Sequence, residues 1–281
     1  MTYKLPVFAT IAEGYRFLVS QFTGWFQLAI PPLVIWIGLN IAIANGWLAG
    51  GNLGAGSETP SFAYILLNAP FILAYLVIAA SLLMYAVALH RLVLGANDRT
   101  GPLAWLAWRA RHWRYVGQGV VIVAIIGLGL IVTATFVPAI GTVAGTAGIL
   151  ESAAGQVTLT FIVLILFAVP IALLTCMVLP ALPAAAVDDH AVSLSEASNQ
   201  ARGNLWRMAT VFALGVMLPF WLIEKGVGLL TSRSLTNGGL PELITSIVIN
   251  FIAFTVTIVL LSLIYRRLRD HTALRVDVPE R

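Results

Sequence analysis

Six stretches of this chain run apolar for longer than a soluble fold can use: residues 25–48, 62–90, 116–138, 157–187, 207–230 and 243–265. A helix needs about 20 apolar residues to cross a bilayer's hydrocarbon core. A soluble protein could bury six such helices only by covering each on every side, and this chain lacks the polar residues to do it. It is 59% hydrophobic and 10% charged, whereas soluble domains carry about 25% charged residues. The reading is an all-α polytopic membrane protein with six transmembrane helices, forming one transmembrane domain over 1–281.

The charges orient those helices. Fourteen of the sixteen basic residues fall in the N-terminal segment, the loops after spans two and four, and the C-terminal tail, whereas Lys225 and Arg233 are the exceptions. The positive-inside rule therefore places both termini, and the loops around Asn97 and His190, in the cytoplasm. Ser57, Ser152 and Asn237 are expected outside. A cleavable signal has an apolar core of about 7–15 residues. The run beginning at Trp25 is longer, so it is expected to stay in the mature protein.

Between spans two and three lies "WLAWRARHWRYVG", residues 105–117. Arginines interleaved with aromatics suit a single-stranded nucleic-acid groove, where guanidinium meets phosphate and rings stack on bases. At a cytoplasmic membrane boundary the same residues have a simpler role. Tryptophan settles at headgroup depth and arginine meets anionic lipid. Trp105, Trp108, Arg109, Arg111 and Arg114 are thus candidate headgroup contacts, and no nucleic-acid partner is expected. Leu103, Leu106, Ala110 and Trp113 share a helical face, which predicts a segment lying along the surface. Residues 7–20 have a similar pattern, with Val7, Ile11, Phe17 and Leu18 apolar and Glu13 and Arg16 polar. A third short cytoplasmic helix is expected from Ser193, which precedes Glu196 in a capping-box arrangement. Gly203 and Asn204 suit its left-handed exit.

Each short interfacial helix precedes a pair of spans. Trp25, Tyr115 and Trp206 recur at similar intervals, as do the leucine pairs 82–83, 173–174 and 260–261. This suggests a threefold repeat over 1–95, 96–190 and 191–281, with all three units pointing the same way.

"ALHRLVLG" at 88–95 and "LPALPAAAVDDHAVSLSEASNQARGNLWRM" at 179–208, with the order of helix and hairpin, resemble a large group of uncharacterised bacterial inner-membrane proteins. That group is related to the membrane domain found beside glycerophosphodiester phosphodiesterases. The resemblance implies a six-helix architecture in a bacterial inner membrane. It carries over no activity, because the catalytic domain of those enzymes has a His-Arg-Gly motif with a following acidic pair, and here Leu92 follows His90 and Arg91.

Chemistry is sparse elsewhere. Cys176 is the only cysteine, which excludes an intrachain disulfide. Asp188, Asp189 and His190 are adjacent but have no second cluster to complete a metal sphere, and read as a polar turn before the Ser193 cap. No catalytic constellation, metal site or cofactor motif stands out. Counting helical rise from the span ends brings Asn40, Asn68 and Asn250 to the outer half of the bilayer, with Glu224 and Lys225 nearer its surface. These five form a candidate polar pocket. The glycines of "GTVAGTAG", after Pro138, fit an outer turn or close helix packing. The expected function is a non-catalytic membrane protein that organises lipids or partner proteins. Its expected partners are membrane lipids, anionic on the cytoplasmic side, and a possible membrane protein. The alternative is a transporter or exporter of a small amphiphile or lipid.

Overall fold

In the computed structural model the described residues are 3–45, 47, 69–96, 107–146, 152–231 and 240–276. Among them every regular element is helical and there is no strand. Helices α1 (Val7–Ser20) and α2 (Phe22–Ala44) are followed by α3 (Ala69–Val93) and α4 (Ala110–Thr146). Next come α5 (Ala153–Val163), α6 (Val169–Val178), α7 (Ala181–Ala186), α8 (Leu194–Ala201), α9 (Leu205–Phe212), α10 (Leu218–Thr231) and α11 (Leu240–Val276). Six segments are long and apolar enough to cross a membrane: Phe22–Ala44, Ala69–Val93, Ala110–Phe136, Ala154–Ala186, Leu205–Gly228 and Leu240–His271. They coincide with the six expected spans to within six residues at each end, except that the predicted start of span two, 62–68, lies outside the described residues.

Two local expectations differ from the structure. Residues 110–114 do not form a separate surface helix, because α4 runs unbroken from Ala110 into span three. Tryptophan, arginine and tyrosine there offer no breaker, and isolated glycines such as Gly117 and Gly119 only weaken a helix. α4 also continues past Pro138 to Thr146, so of the two readings of the glycines there the outer turn does not hold up to that residue.

Proline acts more visibly in spans four and five. A π-helical segment, Leu164–Ala168, precedes Pro170 and another, Ala213–Met217, precedes Pro219. Proline has no amide hydrogen and clashes with the preceding turn, and a locally widened turn accommodates both effects.

The last span is the axis of the bundle. Buried residues make up 61% of its membrane window, against 6% in spans three and four. That burial reflects the contacts of α11 with α1 and with spans one, two and five. Ala29, Tyr85, Leu89, Phe251, Ile258 and Leu263 form one core cluster joining spans one, two and six. Met208, Val211, Val256, Leu260 and Ile264 form a second, joining spans five and six with Leu5. Spans three and four pack together, with Gly129 close against Ile171, and present Val123, Leu128, Ile131, Phe161 and Ile165 outward. An apolar outward face of this kind suits hydrocarbon surroundings. The six spans are therefore unequal in burial.

α1 buries Thr10 and Gly14 and packs Val7, Ile11, Tyr15 and Leu18 against the second cluster. Leu260 of α11 sits where a Cβ on Gly14 would be, 2.6 Å from its ideal position. Glu13, expected on the polar side of this helix, pairs with Arg266 and Arg267 in the C-terminal half of α11.

Candidate functional site

The turn after α7 gathers charge from three other spans. Val187 ends the helix and Asp188 adopts φ 59, a left-handed conformation that aspartate tolerates better than most residues. Reversing the chain there turns the two neighbouring carboxylates to different partners. Asp188 Oδ2 lies 3.3 Å from Arg111 and 3.8 Å from Arg91. Asp189 Oδ2 accepts from the Tyr265 hydroxyl at 2.5 Å and lies 3.2 Å from Arg269 Nε. Its Oδ1 accepts from the Ala191 amide. Arg91 also donates to the Ala186 carbonyl, and Arg114 Nη2 donates to the Asp189 carbonyl at 3.4 Å. The side chain of Asp189 is 7% exposed and that of Arg111 10%, whereas Asp188 is 43% exposed, so the junction is closed beneath and open at one carboxylate.

Beside it, two buried polar chains run onto the central helix. Ser262 donates to the Ile258 carbonyl one turn back, so His90 Nδ1, 2.7 Å from Ser262 Oγ, must be the donor in that pair. With the ring proton on Nδ1, Nε2 is left to accept from the Tyr115 hydroxyl at 3.2 Å. Higher in the bundle Tyr85 donates to Thr255, which donates to the Phe251 carbonyl. A serine–histidine contact resembles half of a nucleophile–base pair. Here His90 and Ser262 are both 0% exposed and the hydroxyl proton is committed to a carbonyl, which leaves interhelical bonding as what the pair can do.

A third polar cluster fastens the N-terminus. Asn204 Oδ1 accepts from the Leu5 amide at 2.8 Å, and its Nδ2 donates to the Tyr3 carbonyl. Arg207 donates to the Leu5 carbonyl. Ser193 caps α8 by accepting from the Glu196 amide, while the Glu196 carboxylate turns to Gln200, so half of the capping box is formed. Gly203 takes φ 84, the expected left-handed exit.

Of the sequence-derived headgroup contacts, Trp105 lies outside the described residues. Trp108 is exposed, as is Arg109 at the start of α4, while Arg111 and Arg114 turn into the arginine–aspartate junction. Asp188 and Asp189, read as a plain turn, prove to be its anionic centre, and Arg91 and Arg269 are members that linear proximity could not reveal. Among the described residues no group of histidine, cysteine and carboxylate side chains could hold a metal. Asn68 of the candidate polar pocket also lies outside the described residues. Asn40 donates to the Trp36 carbonyl and Asn250 to that of Ser246, each within its own helix. Glu224 and Lys225 are exposed. Among the described residues no hydrogen bond or ion pair links these four side chains to one another.

Six helices long and apolar enough to cross a membrane are consistent with a multi-pass helical membrane protein. Comparison with family models, with curated proteins and with solved structures finds no match to this chain.

Proposed function

We propose that this is a non-catalytic protein of a bacterial inner membrane, with both termini cytoplasmic, that organises anionic lipids or partner proteins through its base-rich side. The observation that carries this reading is the convergence of Arg91, Arg111, Arg114 and Arg269, from the ends of spans two, three and six, on one turn after span four. The four arginines outnumber the two aspartates they meet, and the positive excess attracts anionic headgroups at a membrane surface. Exposed Trp108 and Trp113 beside this junction suit headgroup depth. The centre of the bundle supports an organising role over an exporter, because Tyr85, Leu89, Phe251, Val259 and Leu263 fill it and are nearly inaccessible. The repeat over 1–95, 96–190 and 191–281 fits this reading, since three parallel hairpins would bring all base-rich ends to one face. The resemblance to the membrane domain beside phosphodiesterases supports the same architecture and no reaction.

The test is the lipid that accompanies the protein. Purified gently from a bacterial membrane, the full chain should carry anionic phospholipid in a higher proportion than the membrane it came from. Co-purified lipid matching the bulk composition would sink the reading.

A further inference from the structure

One face of α11 is closed at one end and open at the other. Tyr265, Leu261, Thr257, Phe254, Asn250 and Ser246 follow one another three or four residues apart, and so share a side of the helix. Tyr265 donates to Asp189 at the end of span four, which turns that side toward span four. Tyr265 and Leu261 are buried, Thr257 and Phe254 are half-buried, and Asn250 and Ser246 are exposed. The gradient follows from how span four packs. Its α7 end meets α11, whereas α5 and the π-helical segment Leu164–Ala168 pack on span three and have no extended contact with spans two, five or six among the described residues. On the flanks Phe254 leans on Tyr85 of span two, and Val256 and Leu260 belong to the cluster shared with span five. The open face is therefore the floor of a groove that widens away from the arginine–aspartate junction.

Lipid chains can fill such a groove but cannot serve its polar floor. Asn250 Nδ2 donates to the Ser246 carbonyl at 2.9 Å and lies 3.3 Å from its hydroxyl, which leaves Oδ1 without a donor among the described residues. An amide oxygen in hydrocarbon is costly to leave unpaired, and the exposure of Asn250 lets a ligand reach it. Counting about 1.5 Å per residue from Arg266 puts Asn250 about 24 Å along a hydrocarbon core about 30 Å thick. The missing partner is thus a hydrogen-bond donor that enters the core. It is uncharged, because none of the six residues supplies a counterion. A phospholipid keeps its phosphate outside the core, whereas diacylglycerol ends in one hydroxyl, which is far cheaper to desolvate. We propose that Asn250, in the groove between spans four and six, binds an uncharged hydroxyl-bearing lipid of the diacylglycerol class from the leaflet opposite the base-rich side. This site goes beyond the anionic-lipid reading and does not depend on it.

Full-length protein in phosphatidylcholine nanodiscs, doped with either diacylglycerol or its 3-O-methyl ether, tests the site by native mass spectrometry. The ether keeps both chains and loses the hydroxyl proton. Wild type should retain diacylglycerol about fivefold over the ether, the ratio expected from one hydrogen bond. Asn250→Leu should abolish that preference, and Asn250→Ala replaces it in the test if the larger side chain disturbs folding. Asn40→Leu, which removes an amide bonded within span one, should keep the wild-type ratio. Equal retention of the two lipids by wild type overturns the site. So does a wild-type ratio in folded Asn250 variants, or its loss in Asn40→Leu as well. A second copy of the chain is the rival occupant of this face. Asn250→Cys on a Cys176→Ser background should stay monomeric under oxidation in nanodiscs that hold two copies, and efficient disulfide-linked dimers would assign the face to a protein interface and overturn the lipid site.

Discussion

Leu260 is held between two glycines. A Cβ on Gly14 would stand 2.6 Å from its Cδ2 and one on Gly215 would stand 2.8 Å from its Cδ1, with Ile11 also close to the latter. Flexible leucine can yield to one methyl group but not to a branched side chain in each direction. Gly14→Val or Gly215→Val should therefore lower stability in detergent by about 1–3 kcal/mol, the usual cost of overpacking. A thermal melt reads it, and an unchanged midpoint would mean that the three helices part freely. Asn204 makes a different kind of contact, pairing with Leu5 across 199 residues of chain. Asn204→Ala leaves the buried Leu5 amide without its acceptor and should cost about 1–3 kcal/mol. Proteolysis of the N-terminal residues before the bundle melts would be the visible sign, and equal protection of mutant and wild type would count against the clamp. Gly203 and Asn204 were legible as a helix exit from residue type alone. The partner of Asn204 was not, because backbone groups near the N-terminus carry no side-chain signature.

Span five depends on a helix outside the spans. Pro219 has no amide hydrogen to give the Gly215 carbonyl one turn before it. The hydroxyl of Tyr15, in α1, donates to that oxygen at 2.8 Å. Burial raises the Tyr15 phenol above its usual range, which keeps it protonated as a donor. Tyr15→Phe should thus destabilise the protein by about 1–3 kcal/mol through an unpaired carbonyl. Pro219→Ala supplies an amide from within span five, and in that background the tyrosine change should cost markedly less. Strict additivity of the two changes in denaturation would show that the hydroxyl does not serve the gap left by proline. The sequence marked residues 7–20 as an amphipathic helix, and it placed Pro219 in span five. It did not join them, since a helix at a lipid surface and one packed on a protein surface need the same apolar stripe.

The whole bundle is organised around α11, to which span two is fastened by Tyr85–Thr255 and His90–Ser262. Ser262→Ala removes the acceptor of the His90 ring proton and should loosen spans two, three and six together. Its cost should be about 1–3 kcal/mol, and Tyr115→Phe in that background should add less than it does alone. Independent effects would break the chain into separate contacts. The orientation of the bundle is tested in cells on a Cys176→Ser background. Single cysteines replacing Asn97 or His190 should resist an impermeant thiol reagent, while those replacing Ser57, Ser152 or Asn237 should react. Labelling at Asn97 with protection at Ser57 would invert the topology.

The number of spans, their positions and the clustering of basic residues at alternate ends were determined by the sequence alone. Burial of hydrocarbon surface and the cost of moving arginine through a bilayer act on composition along the chain, and need no knowledge of neighbours. Tertiary structure decided which span lies at the centre, since span four is more apolar than span six and span three nearly as apolar, so only contacts distinguish α11. It also decided what the charged turn does. Asp188 and Asp189 are adjacent in sequence, but Arg91, Arg111 and Arg269 come to them from three separate helices. An ion pair or hydrogen bond acts over a few ångströms in space, and distance along a chain says little about that until the helices have packed.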